Sequence, residues 1–138
     1  MNLKENRPEH SDVLFILNNN KSGVFLSDVN IEVYSRRIID YADFVSIYIE
    51  SQLAGFIAYY LNGDASYISM LIVDKKHQGI GLSNLLLDKY LFSMRERNIK
   101  LIELEVRLCN FRAIAIYENN DFFIYKVDGD KMKMRKVL

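Results

Sequence analysis

The sequence predicts an α/β fold built on one mixed sheet. Three observations carry this. Over residues 82–97 apolar side chains recur at helical spacing, at Leu82, Leu85, Leu86, Tyr90 and Met94. Over 99–106 they alternate instead, with Ile102, Leu104 and Val106 set against Glu103 and Glu105. Turn signatures cut much of the remaining chain into short segments rich in β-branched and aromatic residues.

The elements follow in order. The single proline, Pro8, precedes an apolar-rich segment at 11–17, read as a helix entered after it. The cluster at 18–23, Asn-Asn-Asn-Lys-Ser-Gly, breaks that segment. Residues 31–40 place Ile31, Tyr34, Ile38 and Ile39 at helical spacing. Strands follow at 44–49 and 53–61, joined near Ser51-Gln52, and Asn62-Gly63-Asp64 turns the chain into a third strand at 66–73. A polar, glycine-bearing loop at 74–81 leads to the long helix at 82–97 and then the strand at 99–106. A short helix at 111–119 comes next. Strands at 122–127 and 131–137 flank Asp128-Gly129, a two-residue hairpin signature.

The chain has 138 residues, half of them hydrophobic, with no internal repeat and no linker rich in Pro, Gly or Ser. This suits one domain over 1–138 with a core that needs no staples. Eighteen basic and eighteen acidic residues give a net charge of zero, which argues against a nucleic-acid binder. A lone cysteine, Cys109, forms no intrachain disulfide and fits a reducing compartment. No apolar run follows the N-terminal charges, and none approaches the ~20 residues needed to span a bilayer. The expectation is a soluble cytoplasmic protein without membrane contact.

The informative segment is the loop. A strand ending at Val73 runs into Gly79 and Gly81, and the loop opens the long helix. The first N–H groups of a helix lack internal partners and sit at its positive end, and glycines let a bulky anion approach them. Such a start suits a phosphate or pyrophosphate. It is no Walker loop, because Leu82 and Ser83 follow Gly81 with no lysine. Nor is it a dinucleotide fingerprint, because Asn84 stands at the third glycine position. Two glycines alone fit a ligand-free tight loop equally well.

Two blocks of residues nevertheless resemble the GCN5-related N-acetyltransferases (GNAT). Gln78, Gly79, Ile80, Gly81, Leu82 and Ser83 fit that family's phosphate loop, with Ser83 at the place of its last Gly or Ala. Leu71 and Val73 match its apolar strand end, and Leu86-Leu87 its apolar pair in the helix. In the second block Asn110, Ala113, Tyr117 and Phe122 match in spacing, while Asp121 stands where the family has Gly. Asp tolerates left-handed backbone angles, so the turn survives. Together the blocks cover about residues 66–126. The family's first strand is not evident ahead of the opening helix.

The resemblance implies a mostly antiparallel mixed sheet flanked by helices, splayed at its fourth and fifth strands. It implies acetyl-CoA as co-substrate, bound by Leu71, Ile72, Val73, the loop from Gln78 to Ser83 and Asn110. The implied activity is acetyl transfer to a primary amine, on a small molecule or a protein, by direct attack on the thioester. A catalytically silent acyl-CoA-binding module of the same fold is the alternative. Within this reading the Val73 N–H stabilises the oxyanion, Gln78 adds an uncharged donor to the phosphates, and Tyr117 is the general acid. Among nine tyrosines, the residue on its own would read as a core side chain.

Other residues stay open or bland. Asn110 either contacts the pantetheine or caps the short helix. Cys109 reads as buried and unreactive. No carboxylate stands on the 66–73 strand; Glu103, Glu105, Tyr67 and Ser69 are candidates for the base, each reading first as structural or exposed. His77 reads as a solvated loop residue that could add a donor, and two isolated histidines suggest no metal. Lys75 and Lys76 attract the coenzyme. Lys131, Lys133, Arg135 and Lys136 read as the charged outer face of an edge strand. The 122–137 hairpin is the expected homodimer contact.

Overall fold

The computed structural model describes residues 1–20 and 30–138. Among these the chain runs β1 (Asn2–Lys4), α1 (His10–Asn19), α2 (Ile31–Tyr41), β2 (Asp43–Ile49), β3 (Gln52–Asn62), β4 (Ala65–Val73), α3 (Leu82–Glu96), β5 (Leu101–Arg107), α4 (Phe111–Asn119), β6 (Phe123–Asp128) and β7 (Lys131–Val137). The strands form one sheet in the order β1-β2-β3-β4-β5-β7-β6. All neighbours are antiparallel except β4 and β5. The predicted order of elements is therefore observed with one strand added. β1 has three exposed residues and no alternation to betray it; its backbone pairing with β2, from Asn2↔Tyr48 to Lys4↔Ser46, holds it. Part of the breaker cluster, residues 21–23, lies outside the described residues.

Two of the three hairpin turns fall one residue from where the sequence puts them. Gly63 turns β3 into β4 at φ +63°, as Asn62-Gly63-Asp64 suggested. The β2–β3 turn is Glu50-Ser51, both left-handed at φ 50° and 65°, one residue earlier than expected. The last hairpin turns at Gly129-Asp130, one residue later than expected. In both cases the ladder closes on a pair, Ile49↔Gln52 and Asp128↔Lys131, that absorbs a residue assigned to the turn.

Two cores cover the sheet. On one face Leu82, Leu86, Leu87, Tyr90 and Met94 of α3, with Tyr117 of α4, pack on Val45, Ile47, Ile57, Ile102 and Leu104. On the other, Val13, Ile16 and Leu17 of α1 and Ile38 of α2 pack on Phe44, Phe56, Met70 and Ile72. Fully burying one such aliphatic side chain contributes about 1.5–3 kcal/mol. Asn30 caps α2 by accepting from the Val33 N–H at 3.1 Å. Gly55 is needed where β3 passes β4, since a Cβ there would lie 2.7 Å from the Ile72 carbonyl oxygen.

β4 changes phase midway. Ala58 pairs with Met70 but Tyr59 with Ile68, which leaves Ser69 as an unpaired bulge residue. Before the bulge, Ile68 faces the α3 core; after it, Val73 does, while Met70 and Ile72 turn to the α1–α2 core.

β7 is not the edge strand. It lies between β5 and β6, with β6 outermost. Three of its four charges are accordingly engaged rather than merely solvated: Arg135 reaches Glu103 at 3.2 Å, and Lys131 reaches Glu105 at 3.6 Å. The buried Lys136 donates to the Asn120 carbonyl at 2.9 Å. Periodicity alone does not report which strand a hairpin leg pairs with next.

Candidate active site

The parallel pairing of β4 with β5 runs from Ala65↔Leu101 to Ile68↔Leu104 and stops at the bulge. Beyond it β4 continues to Val73 with no partner on that side among the described residues. The Asp74 N–H donates to the Ala54 carbonyl at 2.7 Å, which closes the β3 ladder. Hydrogen-bonding direction alternates along an antiparallel strand. Val73, one residue earlier, therefore turns its N–H and carbonyl toward the gap. The splay opens a cleft of about 1370 Å³.

Of the sequence-predicted ligands, Leu71, Ile72, Val73, Gln78, Gly79, Gly81, Leu82, Ser83 and Asn110 line this cleft, as does Tyr117. Ile80 does not; it points to solvent. Gly79 and Gly81 both have φ +85°, and Gly81 is the left-handed N-cap of α3. No side chain caps that end, so its first N–H groups remain available.

Gln78 behaves differently from expectation. Its Nε2 donates to the Val73 carbonyl at 3.1 Å and to Asn20 Oδ1 at 3.4 Å. Its amide therefore ties the loop to the strand end and to α1. Asp74 supports the same region from below: it is buried, its Oδ1 accepts from Asn19 Nδ2 at 2.6 Å, and its carbonyl accepts from the His77 N–H at 2.8 Å. His77 is not simply solvated, since its Nε2 is buried and has no partner among the described residues. Lys75 lines the cleft, whereas Lys76 Nζ donates to Gln52 Oε1 at 3.2 Å. Arg112, which the sequence reading passed over, lines the cleft from the first turn of α4 and reaches Gln78 Oε1 at 3.5 Å. Its signal was its place two residues after Asn110.

Asn110 caps α4, its Oδ1 accepting from the Ala113 N–H at 3.3 Å, while still lining the cleft. Cys109 beside it is exposed, contrary to expectation; it sits in the tight turn that leaves β5, where its side chain falls outside both cores. Tyr117 is 5% exposed and tilts against Phe122 with ring centroids 5.4 Å apart. Its hydroxyl makes no hydrogen bond among the described residues, and burial pushes its pKa well above that of an ordinary phenol. Asp121, at φ 67°, makes the left-handed turn into Phe122.

From the α2 face of the sheet, Tyr34, Arg37, Tyr67 and Ser69 line the same cleft. The Tyr34 hydroxyl lies 2.7 Å from Ser69 Oγ at the bulge. Burial pushes the Tyr34 pKa up to about 12, against the lowering effect of the Ser69 hydrogen bond. Glu103 is held by the Tyr125 hydroxyl at 3.1 Å and by Arg135, and Glu105 by Lys131. Both carboxylates are thus engaged in cross-strand pairs.

The sheet is thus opened between parallel strands beside an uncapped, glycine-turned helix start, an arrangement suited to a ligand that carries a phosphate. The chain belongs to the acetyltransferase (GNAT) family, whose model matches residues 13–122. No functionally curated protein matches the sequence. Among solved structures it is similar to the PaiA N-acetyltransferase of Thermoplasma acidophilum in complex with coenzyme A, at 17% identity, 100% of both chains and a TM-score of 0.83. It is also similar to the ribosomal-protein-S18-alanine N-acetyltransferase of Escherichia coli, at 18% identity, 99% of this chain, 92% of that one and a TM-score of 0.79. A GNAT acetyltransferase of Staphylococcus aureus Mu50 gives 21% identity, 99% and 98% coverage and a TM-score of 0.79. At such identities the likeness is one of fold. Among the described residues no helix is long and apolar enough to cross a membrane.

The residues present fit the coenzyme this family uses. A Cβ built on Gly79 or Gly81 meets nothing within 4 Å, so the nest of N–H groups is open from outside. Lys75 and Arg112 add positive charge at its rim.

Proposed function

We propose that the protein transfers the acetyl group of acetyl-CoA to a primary amine. The observation that carries this reading is the gap between β4 and β5, which joins the phosphate loop, the Val73 N–H and Tyr117 in one cleft. Acetyl-CoA supplies an activated thioester. The N–H groups of residues 78–83 hold the pyrophosphate at the start of α3. The Val73 N–H stabilises the charge that develops on the thioester oxygen, a contribution of ~3–4 kcal/mol for one such donor. Tyr117 keeps its proton at neutral pH as any phenol does, burial raising its pKa further, and gives it to the departing sulfur. An amine with a pKa near ~8 sheds its proton to solvent without a dedicated base. The missing carboxylate on β4 favours the silent module as the second reading. The expected homodimer contact is supported by β6, an edge strand exposing Phe123, Ile124 and Val127.

The test is the thermal midpoint with acetyl-CoA, using ATP and NAD as controls. A ligand at 100 times its Kd stabilises by ~2.7 kcal/mol, several degrees for a domain of this size. A rise with acetyl-CoA alone, followed by thiol release when an amine is added, is expected. A rise without thiol release from any amine would favour the silent module. An equal rise with ATP would overturn the coenzyme assignment.

A further inference from the structure

The α2 side of the cleft carries a positive charge with no partner among the described residues. Arg37, on the exposed face of α2, lines the cleft and makes no hydrogen bond or ion pair among the described residues. Glu105, a carboxylate that also lines the cleft, is paired with Lys131 at 3.6 Å. The neighbouring polar groups are neutral. Tyr34 and Ser69 are hydrogen-bonded to each other, and Tyr67 and Tyr60 pair across β4 and β3. Arg37 stands one helical turn after Tyr34 on α2, and both line the cleft with Tyr67 and Ser69 of β4.

We infer that Arg37 receives a carboxylate of the acceptor, so that the acceptor is an amine carrying an anionic group within a few atoms of its nitrogen. This rests on the transferase reading above. A planar guanidinium matches a carboxylate with two parallel hydrogen bonds. Ser69 stands at the bulge where the β4–β5 gap begins. A molecule anchored on Arg37 therefore brings its amine past the Tyr34–Ser69 hydroxyls toward the gap. The selectivity is electrostatic at its outer end and hydrogen-bonded at its inner end.

The experiment compares paired amines by thiol release, each rate divided by the neutral-amine fraction at the assay pH: β-alanine against β-alaninamide, and phosphoethanolamine against ethanolamine. It uses the whole chain and its Arg37→Gln and Arg37→Lys variants, with the acetyl-CoA thermal shift measured on each. Arg37 is exposed, so both variants keep the fold. The wild type is expected to prefer β-alanine over its amide by about tenfold or more in kcat/KM. The preference falls to near parity in Arg37→Gln and returns in part in Arg37→Lys, with the acetyl-CoA shift unchanged in all three. A preference confined to phosphoethanolamine would replace the carboxylate by a phosphate and overturn the assignment as stated. Equal use of neutral and anionic amines, or a preference that survives Arg37→Gln, overturns it while the coenzyme site stands. So does failure of every amine in a protein that acetyl-CoA still stabilises. Loss of the acetyl-CoA shift itself would instead overturn the transferase reading.

Discussion

On the α3–α4 side the cleft presents backbone N–H groups at a helix start; on the α2 side it presents the side chains of one helix and one strand. The phosphate loop offers N–H groups, two glycines at φ +85° and a strand end whose last amide faces the gap. The opposite wall offers Tyr34, Arg37, Tyr67 and Ser69, gathered from α2 and β4 across 35 residues of sequence in the case of Tyr34 and Ser69. A site that grips a shared coenzyme can be built from atoms every residue has, given the right dihedral angles. A site that selects one acceptor needs side chains, and those differ from protein to protein.

The largest expected effect belongs to a side chain of the first wall, Tyr117 on α4. Tyr117→Phe should lower kcat by roughly 10²–10⁴. It should leave the acetyl-CoA thermal shift intact, because the hydroxyl has no partner among the described residues to orphan. A near wild-type rate in steady-state assays would remove Tyr117 from the chemistry. Next comes the backbone wall. A β-branched side chain at Gly81 has room for its Cβ but must hold a left-handed φ, costing ~1–2 kcal/mol. Gly81→Val should therefore melt a few degrees lower, while its affinity for acetyl-CoA by calorimetry falls by about tenfold or more. Unchanged affinity in the folded variant would mean that the loop does not carry the pyrophosphate.

The smallest effect belongs to the side-chain wall. The Tyr34 pKa is pushed up to about 12 by burial, above its unfolded value of 10.0. Its contribution to stability is complete below the unfolded value. It is lost as pH rises from there to about 12, because the unfolded chain gives up its proton first. Tyr34→Phe should lose less stability than the wild type over that window in urea titrations, with acetyl-CoA binding unaffected at neutral pH. Parallel alkaline profiles would show that Tyr34 does not titrate with folding.

The same contrast explains what was legible in the sequence. Contiguous requirements were readable: the glycine turn, the amphipathic α3, Asn110 ahead of α4, and Asp121 at a left-handed turn. Each is a local backbone demand met by a local residue. Requirements set by tertiary pairing were not. β1 is too short to show a period. The burial of Lys136 and the ion pairs of Arg135 and Lys131 depend on β7 lying inside the sheet. Cys109 looks apolar but lies on the outer side of a turn. Arg37 and Tyr34 look like ordinary helix residues until α2 is laid over β4.

The bulge at Ser69 makes β4 behave as two reading frames spliced end to end. Its first half is in frame with the paired sheet and its second half with the cleft. Deleting that single residue would restore unbroken alternation. Met70 and Ile72 would still face the α1–α2 core and Leu71 and Val73 the α3 core, with Met70 following Ile68 directly in the ladder to Ala58 and Tyr59. Neither core asks for the extra residue. It stands where pairing with β5 stops, so the opening in this sheet is bought with one residue that the hydrophobic packing could do without.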